Sequence, residues 1–167
     1  RDGVLRRLLA QPLNRRDLVL GKIAGLLLLG AAQIGFLLLA AKFLMGLKFS
    51  GLHLLILTMA IYACVAAALG VLIGSVISRE DKIIAVCVLA SMAMAALGGC
   101  WWPLEIVPEN VRLVGHFFPT AWAMDALHQI LSFGGGIGNI TRPLLVLGLF
   151  AIGATAATTA AARWFRV

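Results

Sequence analysis

The side chains that could carry chemistry in this sequence are few and scattered. Asp125 and His128 stand three residues apart, so on a helix they share a face where a carboxylate and an imidazole could exchange a proton. Such a pair would suit a proton-coupled carrier, but it would serve equally as a solvated structural pair. The other histidines, His53 and His116, lie far away in sequence, and the three cysteines lack the CxxC spacing of a metal site. We therefore predict no metal site.

Catalysis by this chain is not indicated either. To act as a nucleophile, Ser75 would need a base within hydrogen-bond reach. Ser75 is predicted near one end of its helix, whereas all three histidines are predicted at the level of the other end. The sequence contains no GxxxxGK[ST] phosphate loop and no HExxH. We predict no catalytic residue and no cofactor bound by this chain.

The elements that must position these residues are built for lipid. Of the 167 residues, 62% are hydrophobic and 13% are charged. Four apolar runs, at 23–41, 54–77, 83–100 and 144–162, contain none of the charged residues, and each is about long enough to cross a bilayer. Because a backbone in lipid must satisfy its own hydrogen bonds, we expect an all-α polytopic membrane protein with four transmembrane helices in a single domain, 1–167.

The basic residues are divided unequally between the two sides of such a bundle. Ten lie in 1–22, in the turn 79–82 and in the tail 163–167, whereas four lie in the other connections. By the positive-inside rule the first group is cytoplasmic, so the segment 101–143 faces outward. This topology accounts for much of the net charge of +7 without a nucleic-acid partner.

The cytoplasmic segment 1–22 predicts a short amphipathic helix. One face carries Val4, Leu5, Leu8 and Leu9, while Arg6, Arg7 and Gln11 point away from it. Pro12 should end this helix, and Asn14 can cap a second helix that continues into the first span. The pattern leaves two interpretations open, an interfacial anchor or a docking surface for a cytoplasmic partner.

The outer segment is too long for a simple connector and is rich in helix signals. Trp101 and Trp102 are typical of an interfacial aromatic belt, and Pro103 follows them directly. Pro108 can open one short helix, and a second helix is expected after Pro119, with Thr120 as its cap and Trp122 on its apolar side. We expect this pair of short helices to cap the bundle and to act as an external gate.

Two further features lie within the spans. Gly70 and Gly74 form a GxxxG pair, which would let another helix approach closely. Gln33 is the one strongly polar side chain in the first run, and it could line a substrate path or bond across helices.

Four stretches in a fixed order resemble the permease subunit of the type-2 ABC exporter family. They are "LRRLLAQPLNRRDLVLGK", "ALGVLIGSVISREDK", "GGCWWPLEIVP" and "FFPTAWAMDAL", and together they extend over nearly the whole chain. The resemblance implies that the segment at 1–11 is a coupling helix that docks on a separate ATP-binding subunit through Leu5, Leu8 and Leu9, with Arg6 and Arg7 as polar flanks. It also implies a second permease subunit, equal or related, and two earlier spans that this chain, which begins at Arg1, lacks.

The function expected from this resemblance is ATP-driven outward transport of a drug-like, lipid-like or glycan-like substrate. ATP and Mg would be bound by the partner subunit. The expected location is the plasma membrane of a bacterium, with membrane lipids around the spans. A proton-coupled secondary carrier remains an alternative, and an intramembrane enzyme is a third class, although the spans lack the clustered polar groups that it would need.

Overall fold

The computed structural model describes residues 15–46, 49, 51–77, 79–134 and 136–164. Within these ranges the chain forms helices and no strand. The helices are α1 (Arg15–Leu44), α2 (Leu52–Val76), α3 (Glu80–Leu97), α4 (Glu109–Gly115), α5 (Pro119–Leu131) and α6 (Ile137–Trp164). The predicted all-α class is therefore confirmed for the part of the chain that is described.

Three of these helices are long and apolar enough to cross a membrane. The candidate spans are Leu20–Leu44 in α1, Leu52–Val76 in α2 and Ile137–Ala161 in α6. The predicted span at 83–100 corresponds to α3, which has 18 residues and begins with the charged residues Glu80, Asp81 and Lys82. Those charges leave a shorter apolar stretch than in the other three helices, so a fourth span stays a prediction.

Two helices extend well beyond the apolar runs that predicted them. The run at 23–41 lies inside α1, which begins at Arg15 and continues without a break to Leu44. Similarly, α6 begins at Ile137, seven residues before the predicted 144, and includes Pro143. Pro143 is the seventh residue of α6 and has no backbone N–H, so one i→i−4 hydrogen bond is missing there although the helix continues through it. Both helices thus extend past the point where the apolar pattern ends.

The centre of the bundle is α2, which packs against α6, α1 and α5. One buried cluster joins α1 to α2 through Ile23, Ala67, Ala68 and Val71, with Ala154 of α6 against it. At the same level the Thr158 hydroxyl of α6 lies 2.9 Å from the carbonyl oxygen of Ala68 and 2.7 Å from that of Ala154 in its own helix, so its one hydrogen is shared between them. The small residues on α2 allow this approach of the α6 backbone.

A second buried cluster lies near the other end of α2 and includes the short helix α5. Its members are Leu54, Leu55, Ala126, Ile130 and Ile140. Burial of this apolar surface fixes the C-terminal half of α5 against the first turn of α2 and the first turn of α6.

The opposite end of α5 lies much deeper along α2. Thr120 and Met124 line the same cavity as Tyr62 and Ala66. Tyr62 follows the start of α2 by about ten residues, or about 15 Å of helix. A hydrocarbon core is about 30 Å thick, so α5 runs alongside roughly the first half of a membrane-spanning α2.

Candidate functional site: the cap and the cavity beneath it

The segment between α3 and α6, here called the cap (residues 98–131), is held against α3 by glycines. A Cβ atom at Gly115, the last residue of α4, would collide with the carbonyl oxygen of Leu97. A Cβ atom at Gly98 would collide with the Thr120 hydroxyl. Gly99 has a φ of +86°, and a Cβ there would lie 2.8 Å from Cγ of Leu104. Leu104, which is 4% exposed, closes this loop. Only glycine fits these three contacts.

Pro119 and Thr120 join the cap to α3 in a way that differs from the sequence prediction. Pro119 is the first residue of α5 and Phe118 is its N-cap, so Thr120 lies inside the first turn. Its hydroxyl donates instead to the carbonyl of Met94, at 2.7 Å. The prediction of Thr120 as cap was therefore wrong, because Pro119 occupies the first helical position and moves the N-cap two residues earlier, to Phe118.

His116 lies at the centre of a hydrogen-bond network that links α4 to α5. Its Nε2 is 2.8 Å from Oδ2 of Asp125, and its Nδ1 is 2.7 Å from the backbone carbonyl of Arg112. The Trp122 indole donates to the His116 carbonyl at 2.8 Å and packs edge-on against the imidazole. The Arg142 guanidinium lies 5.6 Å from the centre of the Trp122 ring, which is within the range of a cation–π contact.

The second carboxylate and imidazole of the cap form another pair. Nδ1 of His128 is 3.3 Å from Oε1 of Glu105, in the loop that precedes α4. The two groups that sequence spacing placed together, Asp125 and His128, thus each have a partner on a different segment. Both histidine pairs fasten α5 to the rest of the cap.

These groups border an open polar pocket of about 370 Å³. Its walls include Glu105, Arg112, His116, Asp125 and His128, together with Leu104, Gln129, Asn139 and Pro143. Two histidines that are distant in sequence therefore share one pocket. Among the described residues, no three His, Cys, Asp or Glu side chains are grouped closely enough to hold a metal ion.

The predicted gate residues fall into two groups. Trp101 and Trp102 are 57% and 43% exposed, with their rings edge to face at 5.8 Å, and Pro103 beside them is also exposed. Pro108 is the N-cap of α4, so the short helix expected to open at Pro108 begins one residue later, at Glu109. Pro119 is buried, and Trp122 belongs to the His116 network.

Gln33 lies on α1 beside an apolar cavity of about 360 Å³ under α5. The cavity is bounded by α1, α2 and α5, and it includes Gly30, Tyr62, Ala66 and Met124 among its lining residues. Gln33, itself exposed, thus lies at an open apolar cavity between the membrane-spanning helices α1 and α2. Its predicted role in lining a substrate path stays a prediction.

The GxxxG pair of α2 was expected to let another helix approach closely, but no described helix packs directly against it. Gly70 and Gly74 border an open groove of about 390 Å³, here called the glycine groove, together with Gly21, Gly25 and Lys22 of α1. A Cβ atom at Gly70 or Gly74 would meet no described atom within 4 Å. Their packing role therefore stays a prediction for a helix beyond those described.

The predicted coupling residues Leu5, Arg6, Arg7, Leu8 and Leu9 lie outside the described residues. In the part that is described, the sequence analysis did not single out Tyr62, Leu104 or Glu105. Nothing in their spacing marks them, because each owes its position to contacts between segments that are distant in sequence.

Comparison with known proteins agrees with this architecture. The chain matches the family model described as ABC-2 family transporter protein over residues 1–160. It is also similar to the linearmycin resistance permease protein LnrN of Bacillus subtilis strain 168, with 26% identity over 151 residues. That alignment covers 90% of this chain and 39% of the relative, so the chain spans about two fifths of the relative's length. No solved structure matches the chain. The match over almost the whole chain confirms the predicted resemblance, and this multi-pass membrane protein belongs to the ABC-2 transporter family.

Proposed function

We propose that this chain is part of the membrane subunit of an ATP-driven ABC exporter. The observation that carries the proposal is the family match over residues 1–160. The similarity to a resistance permease supports export over import. ATP binding and hydrolysis, with Mg, belong to a separate subunit, and a second permease subunit completes the path. The bacterial relative supports a location in a bacterial plasma membrane.

Four spans cross the membrane in this proposal, with α3 as the fourth. The cap then lies on the outer face, and α5 enters the outer half of the membrane from that side. The exposed apolar side chains of the cap support contact with the outer membrane interface. They include Trp101, Ile106, Leu113 and Phe117, all more than half exposed.

The mechanism requires that nucleotide state be coupled to a rearrangement of helices. In our proposal, the segment at 1–11 docks on the ATP-binding subunit. The described helix α1 begins at Arg15 and runs unbroken to Leu44, so a push at its cytoplasmic end would be transmitted along one rigid element. α1 borders both the glycine groove and the apolar cavity, and it could therefore change both spaces when it tilts.

The experiment that tests this proposal is ATP hydrolysis by the full-length permease, reconstituted in lipid with its candidate ATP-binding subunit. Leu8→Glu places a charge on the predicted apolar face of the docking helix, so it should weaken assembly or lower permease-dependent hydrolysis about tenfold or more. Gln11→Glu adds the same charge on the predicted polar face and is the matched control. If Leu8→Glu leaves both co-purification and hydrolysis unchanged, docking through this segment is wrong.

Transport itself should depend on ATP. Export measured after ATP depletion, with the proton gradient intact, should fall to background for an ABC exporter. Export that persists under those conditions would instead support the proton-coupled alternative.

The gate role of the cap has its own test. Replacing Trp101 and Trp102 together with alanine should lower export several-fold while leaving membrane insertion intact, because both rings are exposed and contribute little to the interior. Export and the amount of inserted protein would be measured in the same cells. Unchanged export at equal expression would contradict a gate at these residues.

A further inference from the structure

The apolar cavity beneath the cap has an unusual lining. It measures about 360 Å³ and adjoins a second space of about 260 Å³ between α2 and α3. Tyr62, Ala66, Cys100 and Thr120 line both spaces, so they lie at the boundary between them. The combined volume falls in the range of cavities that bind small organic molecules.

Among the described residues, none of those that line either of these spaces is charged. A bound ion would therefore have no opposite charge beside it, in surroundings where an unpaired charge is expensive. The polar pocket on the other face of α5 differs in this respect, because Arg112, Glu105 and Asp125 line it. α5 thus separates a charged pocket from an uncharged one.

Two polar side chains among the residues that line the apolar cavity are Gln33, which is exposed, and Tyr62, which is partly buried. Two hydroxyls there bond to the backbone, since Thr58 donates to the Leu54 carbonyl and Thr120 to the Met94 carbonyl. Gln33 on α1 and Tyr62 on α2 can each both donate and accept, so a polar group lying between them could bond to either.

We infer that this cavity is a binding site for an uncharged amphipathic molecule, whose apolar body packs between α1, α2 and α5 and whose hydroxyl, amide or ester group bonds to Gln33 and Tyr62. The inference rests on the proposed exporter function, because it names the class of cargo that the same membrane path accepts.

The test uses two photoreactive probes with the same acyl chain, a neutral monoacylglycerol and a cationic acylcholine. The full-length permease and its ATP-binding subunit are assembled in lipid nanodiscs and illuminated with each probe, and the labelled peptides are mapped by mass spectrometry. We expect the neutral probe to label peptides around Tyr62 and Met124, with competition by excess unlabelled monoacylglycerol and much weaker labelling by the cationic probe.

Substitutions then separate a built site from general lipid contact. Gln33→Leu and Tyr62→Phe each remove hydrogen-bonding groups with little change in volume, so each should lower competed labelling by roughly threefold to tenfold. Thr155→Val is the matched control, because its hydroxyl donates within α6 to the Ala151 carbonyl and does not line the cavity. Labelling of that variant should equal wild type.

Three results would overturn the inference. Equal labelling by both probes, insensitive to the two substitutions, would mean ordinary lipid exposure. Absence of labelling around Tyr62 and Met124 would mean that another part of the permease fills the cavity. Stronger labelling by the cationic probe would exclude an uncharged cargo. ATP hydrolysis by the same nanodiscs without probe tests the proposed exporter function separately. Intact permease-dependent hydrolysis together with absent labelling would contradict the binding site but not the exporter function.

Discussion

The cap and the glycine groove use the same residue type for opposite purposes. In the cap, Gly98 and Gly115 have no room for a methyl group, because neighbouring atoms of Thr120 and Leu97 occupy that space. In the groove, Gly70 and Gly74 have no described atom within 4 Å of the same position. The cap is therefore a closed contact between segments, whereas the groove is a surface that the described chain leaves uncovered.

The hydrogen bonds of the cap also differ from those beside the groove. Thr120, Trp122, His116 and His128 all bond to segments other than their own in the cap. Along the groove, the Ser75 hydroxyl donates to Val71 within its own helix. Hydrogen bonds between segments hold the cap in one arrangement, whereas beside the groove α1 and α2 are joined by the apolar cluster that includes Ile23 and Val71.

The largest expected effect comes from Gly115→Ala. The added methyl group must displace the Leu97 carbonyl, which is backbone and cannot rotate away. We expect a loss of about 2–3 kcal/mol in the free energy of unfolding. The measurement is thermal unfolding of the full-length permease in a fixed detergent, followed by tryptophan fluorescence. A midpoint equal to wild type would mean that the contact between α4 and the end of α3 is not as close as described.

A smaller effect is expected from Asp125→Asn, which removes the carboxylate bonded to His116. The two side chains are 34% and 25% exposed, so solvent screens the pair only partly. We expect a loss of about 0.5–1 kcal/mol in the same unfolding measurement. Glu105→Gln is the matched change at the other pair, where the carboxylate side chain is 61% exposed and the distance is longer. Glu105→Gln should therefore lower the free energy of unfolding by less than Asp125→Asn does. A larger loss for Glu105→Gln would contradict the central place of His116 in the cap.

The smallest expected effect is that of Gly74→Ala, the groove counterpart of Gly115→Ala. Because no described atom is near, the methyl group should fit, and alanine favours a helix over glycine by up to about 1 kcal/mol. The unfolding midpoint of the full-length permease should stay equal or rise slightly. A fall of several degrees would show that another helix occupies the groove in the complete protein, and the contrast with the cap would then disappear.

Much of the fold follows from local patterns in the sequence. The apolar runs predict α1, α2 and α6 because a lipid-facing helix has to be continuously apolar. Pro108 predicts the start of α4 to within one residue, since the helix begins at Glu109, whereas α5 begins at Pro119 itself and not after it as expected. Helix ends were less accurate, as at Ile137, because polar residues continue the helix beyond the apolar run.

The contacts of the cap could not be predicted in the same way. His116, just after the end of α4, meets Asp125 of α5 across the short turn between the two helices, and no periodicity within either helix encodes that contact. Gly98 is typical of a helix end and indicates flexibility when read alone, yet its surroundings make it a point of close contact. Gln33 was singled out as an isolated polar residue, but only the packing of α2 and α5 places Tyr62 across the same cavity.

The position of α5 has a consequence for biogenesis. Its buried alanines, Ala121, Ala123 and Ala126, belong to a helix that packs against α2 and α6, and α6 leaves the ribosome after α5. Until α6 enters the membrane, α5 lacks one of the helices that bury it, besides α2 and α3. We therefore expect α5 to reach its final position only after the helix that follows it has been inserted.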